Sequence, residues 1–328
     1  MISMHHVWAL VLAGGEGKRL HALTTKPCGT PVPKQFCSLR GERSLIEDAI
    51  ERAGALVDTE RICAIVAAQH RRWWSDIAGL KRLPAHNLIV QPRNRGTAVG
   101  ILYATLQILK RDPQAVIVLL PSDHHVDDED ILRQSLVAAL RRARRRMDSA
   151  VLLGLEPDHA DTELGYIVPG AGDPLGGHRV LRFIEKPSHS MAHEIIGGGA
   201  LWNTFILIAG GQCLTELFQS RFAELVVDVN AIVEKSLAPP SADANEWDLM
   251  EMYERLPDVD FSRHLLEGRE SSLCVVRVQP CGWSDLGTPR RVGETLRRLR
   301  PQDYAAAIAN RSPYMNLAAQ HDRLRRQA

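Results

Sequence analysis

Along the first half of the chain, short runs of aliphatic and β-branched residues alternate with longer stretches in which apolar residues recur every three or four positions. The short runs Val7–Leu12, Ile62–Val66, Leu88–Val90, Val116–Leu120 and Val151–Leu155 predict strands. The longer stretches Leu45–Leu56, Thr97–Lys110 and Ile131–Met147 predict amphipathic helices between them. Such alternation reads as a mostly parallel, Rossmann-like sheet, and the near-continuous apolar strands imply helices on both faces.

The pattern changes after Pro157. Shorter strands are expected around Gly165–Val168, Val180–Glu185, Leu201–Ile208 and Leu273–Val278, separated by turns such as Val168-Pro-Gly-Ala-Gly-Asp-Pro174. This half reads as a mixed α+β part inserted into the α/β fold. The expected organisation is one unit over residues 1–298, with a first half of about 1–156 and a second half of about 157–298. A polar, Arg-rich tail covers 299–328, and Ala238–Asn245 reads as an exposed loop.

Composition narrows the classes. The chain has 328 residues and a formal net charge of +1, so nothing draws it to nucleic acid or to an anionic membrane. The cluster Arg141, Arg142, Arg144, Arg145 and Arg146 reads as the solvated face of a helix. Six scattered cysteines contain no C-x-x-C pair, which argues against a thiolate zinc site and fits a reducing cytoplasm. The first apolar stretch is too short to span a bilayer and has no small-residue cleavage site after it.

The strongest local signal is Leu12-Ala-Gly-Gly-Glu-Gly-Lys-Arg-Leu20, directly after the first strand. Backbone without Cβ atoms can approach phosphate oxygens, and successive N–H groups can form an anion nest. Arg19 could clamp a phosphate with two parallel hydrogen bonds. The loop is no P-loop, because Arg19 follows Lys18 where Ser or Thr is needed. It is no dinucleotide fingerprint either, because Leu20 stands where Gly or Ala is required. Taken alone it is equally a structural strand-to-helix turn. Pro31-Val-Pro-Lys-Gln-Phe36 follows, where Lys34 could serve as a point charge on a triphosphate. At the end of the most apolar strand, Leu119-Leu-Pro-Ser-Asp-His-His125 places Asp123 as a hard oxygen ligand for Mg²⁺, although an Asp at a strand end is by itself more often a cap or turn former. His124 and His125 alternate in direction if extended, so they do not share one metal.

Gly-Gly-x-Gly-x-Arg-Leu followed by Pro-Lys-Gln-Phe resembles the sugar-nucleotide pyrophosphorylases, most closely the mannose-1-phosphate guanylyltransferases. The likeness runs in order from about Val7 to Arg291. It implies a nucleotide-diphospho-sugar transferase fold and an Mg²⁺-dependent enzyme joining GTP to mannose 1-phosphate. In that family the glycine loop, here Leu12, Ala13, Gly14 and Gly15, and the segment Gln91-Pro-Arg-Asn-Arg-Gly-Thr-Ala98 hold the nucleotide. Gln91, Gly96 and Thr97 would then lie at the base, although the family usually carries Glu and Asn where Gln91 and Gly96 stand. Without the resemblance, this segment is a helix N-cap turn that Thr97 could satisfy. Asp285, in Cys281-Gly-Trp-Ser-Asp-Leu-Gly-Thr288, becomes the second metal carboxylate beside Asp123, with Arg19 and Lys34 on the departing pyrophosphate.

The resemblance makes about 1–156 the nucleotide-binding half and about 157–298 the sugar-binding half, and it assigns a sugar side. Gly165 lets backbone approach the sugar, Glu185 accepts from its hydroxyls, Lys186 holds its phosphate, Asn203 bonds ring substituents, and Trp283 packs beside sugar or phosphate. Phe205 stands where the family has Gly. These departures keep open another hexose 1-phosphate with UTP or dTTP. A non-catalytic nucleotide-sugar-binding homologue is a separate class, and an NAD-dependent oxidoreductase is weaker because of Leu20. The expected partners are thus a nucleoside triphosphate and a hexose 1-phosphate, with room left for a homo-oligomer. Too few residues follow Arg291 for the isomerase domain that some family members carry, so that step is expected from another protein.

Overall fold

The structure, a computed structural model, describes residues 4–25, 29–237 and 246–301. Cys28, the expected loop Ala238–Asn245 and the tail beyond residue 301 lie outside the described residues. Nine strands form one sheet: β1 Val7–Ala13, β2 Ile62–Ala67, β3 Leu88–Gln91, β4 Val116–Pro121, β5 Ala150–Leu155, β6 Gly165–Gly172, β7 His178–Glu185, β8 Leu201–Gly210 and β9 Leu273–Val278. Their order is β3-β2-β1-β4-β8-β5-β9-β7-β6, with β6 also pairing with β8.

The helices run in chain order. His21–Thr24 (α1), Leu45–Gly54 (α2), Arg71–Trp74 (α3), Ala78–Lys81 (α4), Gly96–Arg111 (α5) and Glu129–Arg145 (α6) belong to the first half. His189–Gly197 (α7), Gly211–Gln219 (α8), Ala223–Leu237 (α9), Glu246–Glu254 (α10) and Pro289–Leu299 (α11) follow. Local signals start several of them. The Ser44 N–H donates to the Glu47 carboxylate at 3.0 Å, half of a capping box that opens α2. Asp128 accepts from the Ile131 N–H ahead of α6, and Thr288 accepts from the Arg291 N–H with Pro289 in the first turn of α11.

Side-chain alternation along β1 divides the molecule into layers. Val7, Ala9, Val11 and Ala13 enter a core shared with α2, α6 and α11. Trp8 and Leu10 point the other way, into a core built with α5, α8 and α9. Burial on both faces explains why these strands read as unbroken apolar runs, each large side chain contributing about 1.5–3 kcal/mol.

The sheet is mixed. β1 pairs in parallel with β2 and β4, β2 with β3, and β5 with β9, whereas β8 runs antiparallel to β4, β5 and β6. The second-half strands are not the shorter ones: β6 and β7 have 8 residues each and β8 has 10, against 4 to 7 in β1–β5. Their length was hidden because Pro169, Gly170 and Gly172 continue β6 as part of a bulged hairpin with β7. The arginine cluster is also not wholly solvated. Arg142 is 5% exposed and pairs with Asp173 at 2.8 Å, tying α6 to the end of β6. Among the described residues, no helix is long and apolar enough to cross a membrane.

Candidate active site

The carboxy ends of β1–β4 lie side by side, with Ala13 beside Val66, Ala67 beside Gln91 and Leu12 beside Pro121. Because β8 is antiparallel to its neighbours, its first residues reach the same end, where Asn203 faces Gly154. A cleft of about 600 Å³ opens there, and every expected site residue except Ala13 lines it. Ala13 is 1% exposed, and its carbonyl accepts from the Gln35 amide at 3.1 Å, so it supports the loop and does not face the cleft.

The glycine loop is held from behind. Gln35 donates to Gly15 O at 2.8 Å as well as to Ala13 O, while Ser122 Oγ donates to Leu12 O at 2.6 Å. A Cβ at Gly14 would stand 2.3 Å from Gln91 Nε2, whereas a Cβ at Gly15 would meet nothing within 4 Å. Gly14 thus lies against the Gln91 amide, which would have to move for a Cβ, and Gly15 borders open space that a phosphate can enter. Gly17 adopts φ 64°, the left-handed turn that leads to Arg19. Arg19 reaches across the cleft to pair with Glu163, in the loop before β6.

Asp123 and Asp285 are far apart in sequence, and one short bridge unites them. His125 N donates to Ser284 O at 2.8 Å, and Ser284 N donates back to His125 O at 2.9 Å. The segment after β9 is thereby stitched to the segment after β4. Lys34 is 6% exposed and closes the join: its Nζ lies 3.0 Å from Asp123 Oδ2 and 2.6 Å from the Asp285 carbonyl oxygen. The ammonium thus faces carboxylate and carbonyl. Burial is the largest influence on Asp123 and raises its pKa, but the charge and hydrogen bond of Lys34, with His124 and a backbone hydrogen bond, together outweigh it and hold the pKa below the ordinary carboxylate value. The side chain of Asp123 keeps 40% of its surface exposed. Burial drives the His124 pKa down to about 4, so its ring is neutral at pH 7. That ring meets Trp283 edge-on at 5.3 Å. His125 turns away and pairs with Asp127 at 2.9 Å, so the two histidines do point apart.

Asp285 is engaged by a residue that no motif announced. Its Oδ1 accepts from Gly287 N at 3.2 Å and from the Arg291 guanidinium, and Arg291 also pairs with Asp161 at 3.1 Å. Donor chemistry nevertheless suits a hard cation. Two carboxylates line one cleft, Oδ2 of Asp285 is outside both of those hydrogen bonds, and Oδ1 of Asp123 has only a long 3.5 Å approach from His124. No cluster of three His, Cys, Asp or Glu side chains able to hold a metal occurs among the described residues. Two carboxylates completed by substrate oxygens and water is a usual arrangement for Mg²⁺.

On the side expected for the base, Gln91 is 3% exposed, and its Oε1 accepts from the Tyr253 hydroxyl at 2.9 Å. Gly96 has φ 79°, and a Cβ there would lie 2.4 Å from the Val259 carbonyl oxygen, so Asn would not fit in its place. Thr97 is not the helix cap: Arg95 holds that position, and Thr97 Oγ1 accepts from Phe261 N at 2.9 Å. These contacts pin the segment 253–264 over the base loop. Asp258, Asp260, Ser262 and His264 from it line the cleft and were missed in the sequence, as were Gln35, Tyr253 and Arg291. A π-helical turn at Ser262–Leu266, a frequent companion of functional sites, has no sequence signature to reveal it.

The side expected for the sugar is built on irregular backbone. A Cβ at Gly165 would stand 2.6 Å from Glu185 Oε2, so this glycine makes room for the Glu185 carboxylate. Burial, with the Asp260 charge nearby, pushes the Glu185 pKa up to about 7. Lys186 and Phe205 both adopt left-handed conformations, φ 51° and 59°. In β8 the register slips between Leu152 and Gly154 of its partner, and Asn203 Oδ1 accepts from Phe205 N at 3.2 Å inside that bulge. Phe205 thus projects to the cleft and meets Phe261 at 6.1 Å between ring centres.

The nucleotidyl transferase family model matches residues 8–300. The alginate biosynthesis protein AlgA of Pseudomonas aeruginosa is 26% identical over 286 residues, 85% of this chain and 56% of that protein. Mannose-1-phosphate guanylyltransferase of Escherichia coli (strain K12) is 29% identical over 294 residues, 86% of this chain and 58% of that protein. The chain therefore spans little more than half the length of these curated relatives. A solved structure described as mannose-1-phosphate geranyltransferase from Thermus thermophilus superposes with a TM-score of 0.69 at 27% identity, covering 88% of this chain and 79% of that one.

Proposed function

The chain belongs to the nucleotidyl transferase family, and from that membership together with its cleft we propose that it condenses GTP with mannose 1-phosphate, forming GDP-mannose and pyrophosphate. The observation that carries this reading is the His125–Ser284 bridge, which sets Asp123 and Asp285 in one cleft with the glycine loop and Glu185.

An oxygen of the sugar phosphate attacks the α-phosphorus, and pyrophosphate leaves in line. The nucleophile is already an anion, so no general base is needed. Catalysis then rests on positioning and on neutralising charge. Asp123 and Asp285 would hold Mg²⁺, whose charge would offset that of the phosphates. The open backbone at Gly15 receives triphosphate oxygens. Arg19, half exposed, exchanges Glu163 for the departing pyrophosphate. Lys34 keeps the two carboxylate loops together and presents positive charge behind Asp123. Lys186 orients the attacking phosphate, while Glu185 and Asn203 select sugar hydroxyls. Trp283 Nε1 and His124 Nδ1 are buried without hydrogen-bond partners and can bond a bound sugar or phosphate.

One observation favours a second reading, the same reaction with UTP or dTTP and another hexose 1-phosphate. Tyr253 already occupies Gln91 Oε1, which leaves the amide nitrogen toward Gly14. Guanine N1–H and N2–H₂ then share an acceptor that Tyr253 already engages, whereas uracil and thymine offer carbonyl oxygens to the amide nitrogen. The test is pyrophosphate release from purified protein with Mg²⁺, each nucleoside triphosphate and each hexose 1-phosphate in turn. Release with GTP and mannose 1-phosphate is the expected result. Release with only a pyrimidine nucleotide establishes the second reading, and no release from folded, nucleotide-binding protein refutes both.

A further inference from the structure

Asp285 is the proposed cation ligand whose surroundings the family motif explains least. Its carboxylate lies over Gly287, where a Cβ would approach Oδ2 to 2.4 Å. Its Oδ1 is fixed by Gly287 N and by Arg291, in the first turn of α11. Arg291 is 6% exposed, unusual for a residue in an arginine-rich helix. Its other terminal nitrogen lies 3.1 Å from Asp161, itself fixed on three sides. Glu163 N donates to Asp161 Oδ1 at 2.8 Å, and the fully buried Tyr166 hydroxyl engages Asp161 N and O at 2.8 and 3.0 Å.

We propose that Arg291, braced by Asp161, is a positioning residue for Asp285: it holds Oδ1, leaves Oδ2 to a divalent cation, and so fixes the carboxylate's orientation while moderating its grip on the cation. The proposal rests on the function proposed above, in which Asp285 is a cation ligand. Two physical effects oppose each other. A buried guanidinium in contact with a carboxylate lowers that carboxylate's attraction for a second cation. The same contact removes rotational freedom from the carboxylate, which favours a single reactive geometry. Because Asp161 belongs to the loop whose Glu163 meets Arg19, the contact also ties Asp285 to the loop that closes over the nucleotide side.

Opposed effects give a signature that simple structural damage does not. Mn²⁺ binding would be followed by electron paramagnetic resonance, beside kcat and thermal midpoint, for Arg291→Gln, Arg291→Lys and Asp285→Asn. In Arg291→Gln, Mn²⁺ is expected to bind roughly threefold or more tighter while kcat falls roughly tenfold. In the Asp285→Asn background, Arg291→Gln should alter neither quantity. Arg291→Lys keeps the charge but not the fork, so Mn²⁺ affinity should hold while kcat falls, and this variant decides the matter if Arg291→Gln does not fold. Unchanged or weaker Mn²⁺ binding in folded Arg291→Gln, or wild-type kcat in Arg291→Lys, would overturn the role given to Arg291. Equal Mn²⁺ affinity in wild type and Asp285→Asn would instead remove Asp285 from the cation site, and the function's metal pair with it.

Discussion

The nucleotide side and the sugar side of the cleft meet the same demand, an irregular backbone at a binding site, in opposite ways. On the nucleotide side the left-handed positions are glycines, Gly17 and Gly96, which adopt them at little steric cost. On the sugar side they are Lys186 and Phe205, and in the segment after β9 Leu286 joins the glycine Gly282. A non-glycine residue there costs about 1–3 kcal/mol, and packing elsewhere must offset it. The difference separates two kinds of requirement. Gly96 is small so that the chain can touch Val259, whereas Lys186 and Phe205 are kept large because their side chains face the cleft.

The contrast between the sides breaks most sharply at the carboxylates that join them. Asp285→Asn is expected to leave the fold intact and to lower turnover by a factor of order 10² or more, read by pyrophosphate release. Near-normal turnover would remove Asp285 from the cation site.

The next effect is on stability. Gly96→Ala introduces a Cβ 2.4 Å from Val259 O in a left-handed position, and a loss of about 2 kcal/mol or more is expected in urea unfolding. On the sugar side, Phe205→Gly should change stability by under about 1 kcal/mol, because relief of strain and loss of ring packing oppose each other. Its effect belongs instead to KM for the hexose phosphate, with KM for the nucleotide unchanged. Equal destabilisation by both variants would erase the distinction between the sides.

The smallest effect is a pH dependence. Glu185 has its pKa raised to about 7, so the folded protein holds that proton more tightly than the unfolded chain. Stability from this group is therefore present at low pH and lost as pH rises from about 4.5 to about 7. Acceptance of sugar hydroxyls by the ionised carboxylate follows the opposite course, so KM for the sugar phosphate should fall as pH rises through 7. Glu185→Gln should flatten both trends, measured as thermal midpoint and KM between pH 5 and 8.

Much of the nucleotide side was legible in the sequence because burial on both faces of a sheet leaves unbroken apolar runs, and β1–β5 begin and end within a residue or two of those runs. Asp123 was legible because an aspartate ended such a run. The sugar side was less so. The bulge at Phe205 is one left-handed residue inside a ten-residue strand, and nothing in Leu201-Trp-Asn-Thr-Phe205 announces it. Arg291 stands among Arg290, Arg297 and Arg298 on one amphipathic helix, and only tertiary contacts show that it turns inward. Tyr253 reaches Gln91 through its hydroxyl from a separate helix, and the 257–264 segment reaches the base loop through backbone hydrogen bonds such as Ala98 N to Val259 O, which leave no pattern in side-chain identity.

The most direct test of the joined cleft is a double-mutant cycle on turnover with Asp123→Asn, Asp285→Asn and the double variant. If both carboxylates serve one cation between the two sides, the double variant should be about as slow as the slower single variant. If the two losses multiply to roughly 10⁴, the carboxylates act independently, and the cleft holds no single shared centre.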